Sequence, residues 1–280
     1  LNNFLNVFFR SLIESATEFL PVSSTGHLFL FSYFFPFQDI SHGLDFDDLF
    51  DIFIQSGAIL SVLVIFFPLL KEKFLATLEY LNGDNSKKEA FDFQVGILIG
   101  AVPIMLVGFL FKKYLDQIKS SSFLLLILAS AWILGGLVFI WVEKKIPVPK
   151  IVKPQMEKKH ALIVGLFQCL ALIPGVSRSA ATIISARILG YSRTVCTEYS
   201  FFLAVPVLIA ASLYKLYKHR AILNTETIPY LVLGFLITFF ICNVIIKWFL
   251  GYVRRHSFEV FGYYRVLLGL VVLWFYYLSK

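Results

Sequence analysis

A chain of 280 residues that is 58% hydrophobic, 17% aromatic and only 15% charged, with a mean hydropathy of +0.78, is too apolar for a soluble domain. Its net charge of +7 sits in the loops between apolar stretches, where basic residues set orientation and meet anionic headgroups. Bilayer lipids are therefore the expected surroundings, and nucleic acid is excluded as a partner.

In chain order, residues 4–35 open as a helix, break at PVSSTG and resume as HLFLFSYFF. At 1.5 Å per residue the first arm, 5–20, reaches about 24 Å and the second about 15 Å, so neither crosses a bilayer core of about 30 Å comfortably. Spanning helices are predicted at 49–70, 92–111 and 121–142, followed by a Pro-rich basic linker over 143–159 that meets anionic headgroups. Residues 160–191 repeat the first pattern, with HALIVGLFQCLALI, the break PGVSRSAAT and then IISARILGY. Three more spans follow at 197–217, 227–249 and 258–278. The cysteines Cys169, Cys196 and Cys242 are isolated, without a CxxC pair, and read as small packing residues. The first apolar stretch lacks the short core and small-residue cleavage site of a signal peptide.

Irregular backbone at membrane depth is tolerated only where it is buried in protein or lines a cavity. Both broken segments therefore read as re-entrant hairpins with polar tips. Placing Val22-Ser23 on Val176-Ser177 sets Glu14 opposite Gln168 and Ser24 opposite Arg178, and three spans follow each hairpin. The expected fold is an all-α polytopic membrane protein with an inverted-topology repeat. Residues 1–142 form one half, 143–159 the linker and 160–280 the other half, within a single membrane domain. Sites in such architectures form from broken helices at the repeat interface. The excess of Lys and Arg in loops such as 71–73, 87–88 and 143–159 places those loops in the cytoplasm and both termini outside. The first hairpin then opens outward and the second inward.

The tips carry the chemistry. Glu14 and Glu18 lie one helical turn apart, where like charges repel, and intramembrane ionisable groups imply a use. Ser23, Ser24, Thr25, Gly26 and His27 follow in the first tip, and Ser177, Arg178, Ser179 and Thr182 occupy the second. Arg178 offers a planar, permanently charged fork for phosphate oxygens. Each tip leads into a helix whose first amides favour an anion. Two carboxylates beside a phosphate require a shared proton or a divalent cation, Mg2+ or Ca2+, held by Glu14 and Glu18. His27 fits a general acid, base or nucleophile, and Ser24 an alternative nucleophile. Taken singly, SSTG is ordinary cap and turn composition; the conjunction at two matching breaks points to phosphoryl transfer or pyrophosphate hydrolysis.

ESATEFLPVSSTGH (14–27) and LIPGVSRSAAT together resemble the two signature motifs of the undecaprenyl pyrophosphate phosphatase family, the bacitracin-resistance phosphatases. FDIFIQSGAILSVLV (50–64) and TEYSFFLAVPVLIA (197–210) are similar to further segments of that family in the same order. The resemblance implies an acidic pair at Glu14 and Glu18, with Ser24 and His27 in the first motif and Ser177, Arg178 and Thr182 in the second. It also implies a cation-dependent enzyme that converts undecaprenyl pyrophosphate to the monophosphate for cell-wall synthesis. The site would face the periplasmic or extracellular side of a bacterial inner (plasma) membrane, with the polyprenyl pyrophosphate lipid as partner and a homodimer as candidate assembly. Ala180 departs from the glycine common after SRS in that motif.

Two rivals share these features. A transporter or flippase of a phosphorylated lipid uses the same inverted architecture, but does not require an acid, a nucleophile and an arginine together. A lipid phosphatase of the phosphatidic acid phosphatase type has locally similar SGH and SR motifs, yet also wants an Arg-Pro segment that is absent here. The acidic run Asp39, Asp45, Asp47, Asp48 and Asp51 reads as a solvated connector, with Asp51 or Gln55 facing the cavity. Glu198 reads as an interfacial partner of Arg187 and Arg193.

Overall fold

The computed structural model describes residues 2–38, 43–119, 121–147 and 155–278, and every regular element among them is helical. Asp39 and the linker residues 148–154, including Lys150 and Lys153, lie outside the described residues.

Helix α1 spans Asn3–Thr17, capped by the Asn2 side chain accepting from the Phe4 amide. It stops because Pro21 has no N–H to return to the Thr17 carbonyl. After the break, α2 runs Ser24–Phe34. Helices α3 (Gly43–Phe53) and α4 (Gln55–Ile65) follow end to end and supply the first long apolar segment, Asp45–Ile65. This segment sits several residues before the expected 49–70, because Pro68 opens a new helix, α5 (Phe67–Leu81), instead of extending the span. Then come α6 (Lys88–Leu110), α7 (Lys112–Lys119) and α8 (Leu124–Lys145).

The second half starts with α9 (Lys158–Gln168), which tightens into a 3₁₀ turn over Cys169–Leu172 before Pro174 ends it. Helix α10 (Arg178–Ile188) has the same eleven-residue length as α2. Helices α11 (Arg193–Lys218), α12 (Ile228–Val253) and α13 (Glu259–Leu278) complete the chain. Six segments among the described residues are long and apolar enough to cross a membrane, so the protein is a multi-pass membrane protein. At 26 residues each, α11 and α12 are about 39 Å long.

The packing is reciprocal. Helix α1 lies on α12 while α9 lies on α6; α4 meets both α11 and α12, and α6 also meets α11. Helix α8 packs along α13, where Gly136 and Gly262 let the backbones close: a Cβ on Gly262 would lie 2.9 Å from the Gly136 carbonyl oxygen. Small residues serve this purpose in membranes, where lipid offers no hydrophobic drive between helices. The main core gathers Phe19 and Val22 from the first break, Ile183 and Ala186 from α10, and Phe201, Phe202 and Leu203 from α11. The broken segments are thus embedded in the packed interior.

Two sequence expectations are revised. The acidic stretch is not a solvated connector: Phe46, Leu49 and Phe50 recur at helical spacing, are fully buried, and fold 43–53 as α3. Three of its carboxylates are committed to cations, Asp47 and Asp51 to the buried Arg10 and Asp48 to Lys215, while Asp45 stays exposed. Glu198 does not pair with Arg187 or Arg193, since both bind the buried Glu143, and its charged neighbour is Arg254.

Candidate active site

Among the described residues, two non-glycine positions have positive φ: Ser23 at 77° and Ser177 at 75°. They are the two serines matched between the halves. Each caps the helix it precedes, Ser23 Oγ accepting from the Gly26 amide at 3.3 Å and Ser177 Oγ from the Ala180 amide at 3.2 Å. The alanine at position 180 donates this bond without difficulty. The twist reverses the chain at each break and turns the first residue of each new helix, Ser24 and Arg178, inward.

Those two residues meet on one carboxylate. Ser24 Oγ donates to Glu18 Oε2 at 2.5 Å, and Arg178 Nη2 donates to Glu18 Oε1 at 3.3 Å. Arg178 is steadied by Nη1 on the Ser200 carbonyl at 2.9 Å, while its buried Nε has no acceptor. Thr182 Oγ1 lies 2.8 Å from Ser200 Oγ, tying α10 to α11. Ser179 Oγ donates to the Leu20 carbonyl at 2.9 Å and lies 3.0 Å from Ser177 Oγ, so the second break is stitched to the first. Phe19 closes the floor edge-on against Phe201, with ring centroids 4.9 Å apart.

Glu14 stands one turn before Glu18 and is fully buried, yet neither of its carboxylate oxygens has a hydrogen-bond partner. The nearest arginine along the same face, Arg10, is already saturated by Asn6 Oδ1, Asp47 and Asp51. Glu18, Asp51 and Arg178 are the charges around Glu14. A buried carboxylate without a partner is costly, and such an oxygen pair is the donor type a hard divalent cation takes. No group of three or more His, Cys, Asp or Glu among the described residues makes a protein-only metal cage. Glu14 with Glu18 is the acidic pair that could hold such a cation, with water and phosphate oxygens as its remaining ligands, as Mg2+ is commonly held.

The other sequence candidates divide. The ring nitrogens of His27 are taken by other partners than the carboxylates: its Nδ1 is 2.7 Å from the Ser23 carbonyl, and its Nε2 is 2.7 Å from Tyr264 Oη. Its ring stacks on Tyr264 and meets Trp132 edge-on. Gly26 has a packing reason, since a Cβ there would come within 2.5 Å of the Trp132 ring. Thr25 is exposed and joins none of these bonds. Gln168, the counterpart of Glu14, is fully buried with its amide nitrogen 3.3 Å from the Gly100 carbonyl. Four further residues shape the site without having been singled out from sequence: Trp132, Ser200, Tyr264 and Arg265. An arginine inside an apolar span was the available signal for Arg265; the other three give none.

A carboxylate gripping a hydroxyl, an arginine with a free donor and two helix starts at one point are groups that could receive a phosphate. The family model described as bacitracin resistance protein BacA matches residues 7–271. The chain belongs to this BacA family. Among its relatives, the undecaprenyl-diphosphatase of Leptospira borgpetersenii serovar Hardjo-bovis is 56% identical over 278 residues, covering 98% of each chain. The undecaprenyl-diphosphatase of Leptospira interrogans serogroup Icterohaemorrhagiae serovar copenhageni is 54% identical over 273 residues, again 98% of each. The protein of the same description from Acidovorax ebreus is 41% identical, over 96% of this chain and 93% of its own. Both breaks, with the whole of 160–191 and the first segment from residue 7 on, lie within the matched BacA region.

Proposed function

We propose that this protein hydrolyses undecaprenyl pyrophosphate to undecaprenyl phosphate and phosphate, recycling the carrier lipid for cell-wall synthesis and so conferring bacitracin resistance. The names of its full-length relatives support the reaction, and one observation carries the site assignment: Glu18 joins Ser24 of one break to Arg178 of the other.

The residues divide the work as follows. Glu18 accepts the Ser24 proton as Oγ attacks the terminal phosphorus, and the bond to the bridging oxygen breaks to release the lipid monophosphate. Water then attacks the phosphoserine, regenerating Ser24 and freeing phosphate. Arg178 opposes the charge of the equatorial oxygens in both steps, its Nε and Nη groups offering several donors to one phosphate. Hydroxyls and amides at Ser23, Ser177, Ser179 and Thr182 frame the phosphate positions, while His27 with Tyr264 lies beside them as a proton donor to the leaving oxygen or a contact to the proximal phosphate. A divalent cation held by Glu14 and Glu18 would supply Lewis-acid neutralisation of the pyrophosphate.

The architecture proposed around this site is the inverted repeat of two re-entrant hairpins, with 1–142 and 160–280 as halves. Matching positive-φ serines, equal α2 and α10 lengths and the reciprocal packing of α1 on α12 and α9 on α6 support it. Loop charge supports a periplasmic site in the inner membrane. A homodimer is the assembly to test alongside.

Release of phosphate from a polyprenyl pyrophosphate by purified protein, with and without chelator, tests the reading. Ser24→Ala, Glu18→Gln and Arg178→Ala should each abolish most of the release, and rapid quenching of the parent should trap phosphoserine. Full activity in Ser24→Ala with a phosphohistidine in its place would move the nucleophile to His27.

A further inference from the structure

We propose that Arg265 is a positioning residue that locks the two breaks in register, an inference that rests on the phosphatase reading above. Arg265 comes from the middle of α13 and is fully buried. Its Nη1 donates to the Pro21 carbonyl at 3.1 Å and the Val176 carbonyl at 3.0 Å. Its Nη2 donates to the Gly175 carbonyl at 3.2 Å and the Ala131 carbonyl at 3.1 Å. One guanidinium thus holds both breaks at once, and Pro21 and Gly175 occupy matching places, each two residues before its positive-φ serine.

The break carbonyls of Pro21, Gly175 and Val176 need a donor. The chain leaves the helix at both places, so no following amide can satisfy them, and at membrane depth water is not the default partner. A planar fork reaches acceptors on two sides in a way an ammonium cannot. Helix α8 is shaped for it: a Cβ on Gly135 would lie 3.0 Å from Arg265 Cζ. One turn away on α8, Trp132 Nε1 donates to the Val22 carbonyl at 2.9 Å, a second tie onto the first break.

Two features take Arg265 beyond a fastening for α13. Among the described residues it pairs with no carboxylate, so its charge is met by carbonyl dipoles alone, which is costly for a buried ion. An anion bound at the breaks offsets that charge, and a cation met only by carbonyls favours it. The bonds also lie three residues or fewer from Ser24 and Arg178, the groups that must converge on Glu18. Loss of the fork leaves each tip folded on its own cap but free to shift against the other, and displacement by about 1 Å costs on the order of 10²-fold in rate.

The test is a set of double-mutant cycles on phosphate release, joining Arg265→Lys to Arg178→Lys and to Ser23→Gly. Arg265→Lys is expected to lower kcat by about 30–100-fold with KM within about threefold, and its loss should be far from multiplicative with the loss at either break. A purely structural arginine lowers the active fraction only, so its losses multiply through both cycles; that result, or full activity in Arg265→Lys, overturns the inference alone. Where Arg265→Lys does not fold, Gly135→Ala displaces the guanidinium while keeping it, and the same two outcomes apply. No phosphate from the wild-type protein would overturn the activity reading and this inference with it.

Discussion

Ser23 and Ser177 hold the same positive-φ backbone at the turning points of the two broken segments, and each closes the same cap onto the amide three residues on. An L-residue in this region costs on the order of 1–3 kcal/mol, so another force must hold it there. The cap contributes about 1 kcal/mol when compared with alanine and only a few tenths compared with glycine. Ser23→Gly and Ser177→Gly should therefore match or exceed the parent in thermal midpoint, whereas the alanine variants should fall below it. Both glycine variants should still lose phosphate release, because the proposed mechanism has the hydroxyls frame the phosphate. Alanine variants as stable as the glycine ones would show that the twist is unstrained.

Glu14 is expected to show stability and activity pulling in opposite directions. Its carboxylate is fully buried without a partner, so Glu14→Gln removes a potential charge while keeping the shape. The thermal midpoint in detergent should hold or rise, while phosphate release falls by about 10²-fold or more, the usual scale for losing an acid–base or charge-stabilising group. Cation titration of the residual activity should shift to higher concentration. An active Glu14→Gln with unchanged cation dependence would remove Glu14 from the site.

His27 separates positioning from chemistry. Its Nε2 is held by Tyr264 Oη at 2.7 Å, across the two halves of the chain. Removing one such bond costs about 1 kcal/mol, so Tyr264→Phe should slow turnover by about fivefold. His27→Gln should slow it by about 10²-fold. Equal losses would mean that the tyrosine itself touches substrate, and a wild-type rate in His27→Gln would confine the histidine to packing against Trp132.

Much of this site was legible because polarity is conspicuous against an apolar background. Glu14, Glu18, Ser24 and Arg178 stand out at two breaks that no spanning helix would place there, and the structure brings Ser24 and Arg178 onto Glu18. The acidic run before the first span misled for a related reason. Charge suggested solvent, while the helical spacing of Phe46, Leu49 and Phe50 was the stronger signal and Asp47, Asp48 and Asp51 each had a distant cation to meet. Trp132 and Tyr264 were illegible, since an aromatic in an aromatic-rich span carries no mark of the hydrogen bond it makes. Nor does the sequence show that the absence of a side chain at Gly26 makes room for the Trp132 ring.

A buried ion cluster ties three helices together away from Glu18. Glu143 accepts from Arg187 Nε at 3.1 Å and lies 2.7 Å from Arg193 Nη2, joining the end of α8 to α10 and α11. Both Glu143 and Arg187 are essentially buried, so removing the acid leaves a guanidinium charge without its partner. Breaking such a pair costs about 3–5 kcal/mol. Glu143→Gln should lower the thermal midpoint by more than any site variant above, yet leave KM and the rate per folded molecule within about twofold, since losses at distant, independent sites are separable. The double substitution Glu143→Met with Arg187→Met should recover part of the stability, because an apolar pair no longer strands a charge. A Glu143→Gln protein with unchanged thermal midpoint but a large fall in rate per folded molecule would instead couple this end of α10 to the break at Arg178.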